Sequence, residues 1–184
     1  MTARQLSGDI GVSSDGPSLV DADAYCDEQW RRVMEAFEDL ADAYYGEGRA
    51  LADAHIADIV MRFVRQCHEM KQRIISATAE SPYFSPTALH HFWSNTRALD
   101  ICDALVDAEE LAAKRSPKVT ARIHRTYTEP HGRAFAIIEY AREGEPPRTA
   151  DAMVVAENYV NAWTRFIRKQ RSAGRNFGAQ SDHR

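Results

Sequence analysis

The feature that most constrains this chain is a change of apolar period at Ser116-Pro117. Before it, apolar residues recur at steps of three and four, as on a helix with one buried stripe. Cys26, Trp30, Val33, Phe37, Leu40 and Tyr44 step by 4, 3, 4, 3, 4; Ile56, Ile59, Phe63, Cys67, Met70 and Ile74 step by 3, 4, 4, 3, 4. After it the period is two. Val119, Ala121, Ile123 and Tyr127 point one way, and Thr120, Arg122, His124 and Thr126 the other, as on a half-buried strand.

Punctuation residues divide these runs. Gly46-Glu47-Gly48 ends the first helix, and a break so short makes the second helix, from about 49 to 79, its antiparallel partner. Ser85 suits an N-cap and Pro86 the first helical position, opening a third helix from about 86 to 114. Glu129-Pro-His-Gly132 is a turn, and Arg133–Ala141 reads as a second strand. A helix is the alternative there, because alanine and glutamate are poor strand formers. Thr149 is expected to cap a last helix of about 150–171. The expected fold is mainly α: a three-helix antiparallel body, a β-hairpin at about 118–142 and a C-terminal helix, in the order α-α-α-β-β-α. Residues 1–18, rich in Gly, Ser and Asp, read as a disordered leader; 19–172 as a single helical domain; 173–184 as a flexible tail.

Composition excludes several classes. No apolar run reaches the roughly 18 residues a membrane helix needs, and the leader lacks the apolar segment of a secretory signal. Cys26, Cys67 and Cys102 lie on apolar stripes, which points to buried thiols in a reducing cytoplasm. Net charge is −4 but unevenly spread. Residues 21–58 hold eleven acids against three arginines, whereas 114–184 hold fourteen Lys and Arg against seven acids. The C-terminal excess is compatible with a basic surface, while the pI near 6.0 argues against a dedicated DNA-binder.

Chemistry-bearing patterns are sparse. Arg49 and His55 have the Arg-x4–6-His spacing of HEPN-type ribonucleases, in which histidine does acid–base work and arginine steadies phosphate charge. Arg125 and His131 match the same spacing, so the pattern is unspecific. Arg65 and His68 fall on the outer face of the second helix, where they would meet in solvent. Cys67-His68 and His90-His91 are neighbours about 100° apart on a helix and cannot chelate one ion. Asp100, Asp103, Asp107 and Glu110 step by 3, 4, 3 as a carboxylate ridge, without the Glu-x-x-His pairs of a di-metal bundle. Arg165, Arg168, Lys169 and Arg171 crowd the end of the last helix. There is no G-x-S-x-G elbow, P-loop or glycine-rich phosphate cradle, so neither a cofactor nor a metal is expected.

Two stretches resemble a group of uncharacterised small helical bacterial proteins. FVRQCHEMKQRI (63–74) is similar to that group's His-Leu-Lys-Asp-Trp-Ile pattern, and SNTRALDICDALVDAEELAAKRSP (94–117) to its Asp-Ile-Ala-Asn-x-x-Lys-His block. The likeness extends over residues 45–170 and includes a W-x-x-F-I pattern at Trp163–Ile167. It implies an α-helical fold with a small hairpin. Asp103, Val106 and Asp107 stand where the group has Asn, Lys and His, so the resemblance implies no activity.

The leading expectation is a cytoplasmic, non-catalytic interaction or regulatory protein of the kind frequent in mobile-element and defence systems. It would bind a protein partner or a second copy of itself through the ridge Asp100, Asp103, Asp107 and Glu110 or the cluster Arg165, Arg168, Lys169 and Arg171. The alternative is a HEPN-like ribonuclease or toxin component using Arg49 and His55. The third is a DNA-binding regulator contacting nucleic acid through the C-terminal basic cluster.

Overall fold

The computed structural model describes residues 19–46, 51–78, 85–109, 118–130 and 132–178, with the backbone alone at 19–26, 77–78 and 170–178. Five helices and a three-stranded antiparallel sheet follow in the order α1 (Leu19–Tyr45), α2 (Asp53–Thr78), α3 (Pro86–Ser94), α4 (Arg97–Glu109), β1 (Val119–Thr128), β2 (Ala134–Arg142), β3 (Arg148–Asp151) and α5 (Ala152–Gly178). The leader at 1–18, Arg49, Glu110, His131 and residues 179–184 lie outside the described residues.

The apolar stripes became the core. Val33, Leu40 and Tyr44 of α1 meet Ile56, Val60, Phe63, Cys67, Met70 and Ile74 of α2, all buried. Fully burying such side chains stabilises the fold by roughly 1.5–3 kcal/mol each. Leu99, Cys102, Leu105 and Val106 of α4 and Met153, Ala156, Tyr159 and Trp163 of α5 close the same cluster. Small residues on the sheet's inner face, Ala121, Ala134 and Ala136, are buried too. Alternation puts the bulkier Ile138, also buried, on the same face. The amide of Gly46 makes the last helical bond of α1, to the carbonyl of Asp42 at 2.8 Å, and a β-carbon at Gly46 would collide with that oxygen.

Five expectations are corrected. The expected third helix is two, broken at Asn95-Thr96. The side-chain amide of Asn95 donates to the carbonyl of His91 (2.7 Å) and the hydroxyl of Thr96 to that of Phe92 (2.7 Å), satisfying carbonyls that a continuing helix would have used. The hairpin gains a third strand, because Arg148–Asp151 pairs with β2 from Ile137↔Asp151 to Tyr140↔Arg148. The last helix is therefore capped by Asp151 and not Thr149: its Oδ1 accepts from the amides of Met153 (2.8 Å) and Val154 (3.4 Å). Helical backbone then continues through Gly178, past the expected end at 171 and into the segment read as a tail. Finally, β1 carries a bulge between Ile123 and Arg125. The extra residue, His124, reverses the alternation beyond it. Tyr127 thus faces away from Ala121 and stacks on its cross-strand neighbour Phe135, ring centroids 5.1 Å apart. Residues 134–142 are strand, as the period-two reading expects.

Candidate binding groove and the polar seam beside it

The carboxylate ridge and the two stretches quoted above converge between α2 and α4. Arg65 grips Glu109 with two hydrogen bonds, one at 2.9 Å from Nε. Asp103 takes Lys71 on one oxygen and His68 Nδ1 (3.2 Å) on the other. The Lys71 ammonium also lies over the Trp93 ring, 5.3 Å from its centroid. Gln72 approaches His68 Nε2 at 3.2 Å, so neighbours occupy both ring nitrogens. Asp100 pairs with Arg142 of β2 at 2.6 Å. His68 faces α4 with its side chain 26% exposed. Helix α4 packs beside the apolar stripe of α2, so the outer face on which Arg65 and His68 were expected to meet in solvent became a seam between helices. Asp100 and Asp103 are held within the fold's own ion pairs, whereas Asp107 is exposed.

The seam lies against a thiol core. Burial, and then the neighbouring Cys102 thiol, pushes the Cys67 thiol well above its ordinary value. Burial likewise raises Tyr159, whose hydroxyl donates to the Cys67 carbonyl at 2.8 Å. Thiols held in that state are poor nucleophiles. Outside, the guanidinium of Arg65 holds the Glu109 carboxyl below the usual range.

His55 is exposed and lines a cleft of ≈ 400 Å³ at the other end of α2, with Asp39, Asp42, Arg62 and Gly132. Arg62 is ion-paired to Asp39 at 2.6 Å. Among the described residues no three His, Cys, Asp or Glu side chains gather as a metal-holding set.

A larger groove, of ≈ 690 Å³, runs between α3 and α5. Its floor is Ala88 and Phe92 of α3 with Ala162 and Phe166 of α5. The Phe92 and Phe166 rings stack at 4.4 Å, and the buried Trp163 ring supports Phe92 from 4.7 Å. The α5 rim carries Arg165 and Lys169, the α3 rim Thr87, His91 and Asn95, and among the described residues no carboxylate lines the groove. Neither Arg165 nor Lys169 forms an ion pair among the described residues. Arg168 lies outside the lining, and the Arg171 side chain is not described. The sequence reading marked Arg165 and Lys169 but not their counterparts. Thr87, His91 and Asn95 recur every four residues and could have signalled a polar helix edge, but the unbroken third helix hid where that edge ends.

In comparisons with known proteins, no family model matches the chain, and no curated protein and no solved structure matches it. No helix among the described residues is long and apolar enough to cross a membrane.

Proposed function

We propose that this is a non-catalytic interaction protein that binds an acidic segment of a partner protein in the α3–α5 groove. The carrying observation is the described lining: two cations, Arg165 and Lys169, with no carboxylate among the described residues, over an apolar floor, on a chain of net charge −4. A partner segment with acids beside apolar residues matches both halves of that surface. Nucleic acid matches it less well, because phosphate recognition draws on basic stripes rather than a pair of cations over Phe92 and Phe166. The buried Cys67 and Cys102 thiols suit a reducing cytoplasm. The engagement of both ring nitrogens of His68, and of the carboxylates of Asp100 and Asp103, supports a non-catalytic role for that seam.

The test is an anisotropy titration of a labelled acidic, leucine-containing peptide against wild-type protein and the Arg165→Glu/Lys169→Glu variant. Binding that the double reversal abolishes supports the reading. Binding that ignores it, or a preference for duplex DNA, overturns it.

The ribonuclease alternative has one observation in its favour: His55 and Arg62 both line the smaller cleft. Asp39 and Asp42 line the same cleft and repel phosphate. If His55 acts on RNA, expression of the wild type slows growth and His55→Ala relieves it; equal growth removes the alternative.

A further inference from the structure

The groove's walls carry more information than their charge. Every described lining residue belongs to α3, its flanking Ser85, Asn95 and Thr96, or α5, with none of those described coming from the sheet. Each wall repeats at four residues. On α3 the ladders are Thr87-His91-Asn95 and Ala88-Phe92-Thr96; on α5 they are Ala162-Phe166 and Arg165-Lys169. Residues four apart on a helix stand one above another, ~6 Å apart. Such ladders are the ridges and grooves into which another helix packs.

From this we infer that the groove accepts an amphipathic α-helix of the partner, with two carboxylates one turn apart on the flank beside Arg165 and Lys169. The inference rests on the acidic-segment reading above. From Ser85 to Thr96 the groove is ~16 Å long at 1.5 Å per residue, about three helical turns. A helix ~10 Å wide, half sunk over that length, displaces roughly 600 Å³. The groove holds ≈ 690 Å³. An extended strand of the same length has about five residues and, half sunk, displaces on the order of half as much. The alanines Ala88 and Ala162 leave notches where the guest's apolar stripe sits against Phe92 and Phe166. On the opposite rim Thr87, His91 and Asn95 meet a neutral polar flank, so the guest is charged on one side only and has one orientation.

Three labelled 15-residue peptides test this. The first carries leucines at helical spacing and two glutamates four residues apart on one flank. The second has the same composition arranged with period two. The third is the first with lysines for the two glutamates. The full-length protein is expected to bind the first at least about tenfold more tightly than the second, with the peptide gaining helical circular dichroism. The Arg165→Glu/Lys169→Glu variant should lose the first peptide and gain the third. Both substitutions replace exposed side chains, and an unchanged thermal melt checks that the variant is folded. Equal affinity for the first and second peptides, both sensitive to the variant, overturns the helix and leaves the acidic-segment reading standing. No binding by either, or binding indifferent to the variant, overturns both.

Discussion

The hydroxyl of Tyr44, near the end of α1, accepts from the amide of Ala136 at 2.7 Å and donates to its carbonyl at 3.1 Å. Strand β3 stops pairing at Asp151, opposite Ile137, one residue short of Ala136. One tyrosine oxygen thus replaces the next residue of a missing strand, and it fixes the first helix to the middle strand. Replacing Tyr44 with Phe keeps the ring and orphans two buried backbone groups, at a cost of about 1–3 kcal/mol. Urea unfolding measures this; a change within about 0.5 kcal/mol would show that the hydroxyl is not needed there.

Burial pushes the phenol pKa of Tyr44 and of Tyr159 upward. A raised folded-state value favours the neutral phenol in the native protein. The stability this contributes is present below the unfolded tyrosine value of about 10 and is lost as pH climbs beyond it. The wild type should therefore unfold steeply above that pH. Tyr159→Phe, though less stable at neutral pH, should show a shallower alkaline limb in circular dichroism. Parallel limbs for both proteins would contradict the assignment.

The acidic ridge divides by what its members touch. Asp103 is shared by Lys71 and His68 with only 22% of its side chain exposed, whereas Asp107 is exposed. Removing Asp103 strands a largely covered ammonium beside Trp93. Asp103→Ala is expected to cost about 1–3 kcal/mol and Asp107→Ala no more than about 0.5 kcal/mol. Their chemical-denaturation midpoints compare the two directly; equal midpoints would mean that the seam contributes nothing.

Cys67 and Cys102 are both buried and free. In a Cys26→Ser background, a chromogenic disulfide should leave native protein unlabelled over minutes and modify both thiols once denaturant is added. Immediate native labelling would place a thiol at the surface and remove the case for an inert core.

Where one rule governed a stretch, the sequence predicted the fold. The stripe from Ile56 to Ile74 spans α2 because one face of one helix is buried throughout. Reading failed where two rules competed within a few residues. Asn95 and Thr96 are tolerated inside helices; here their side chains take the His91 and Phe92 carbonyls while their amides slip to bonds three residues back, and α3 ends. Thr149 and Asp151 are both fair caps; pairing with β2 decided between them, and pairing is a long-range event. The bulge at His124 left no mark on composition. The groove was half legible for the same reason: Arg165 and Lys169 announce themselves as charge, but the α3 wall exists only once that short helix folds across α5.

That wall is lightly anchored. Of the nine residues in α3, Leu89 is the only one fully buried. A segment with so little interior surface opens at a fraction of the global unfolding free energy, so its amides should be among the first in the helical body to exchange with deuterium. A guest seated between α3 and α5 would bind only the closed form and slow that exchange in proportion to its occupancy. Hydrogen exchange along α3 would then report ligand engagement without any label on the ligand.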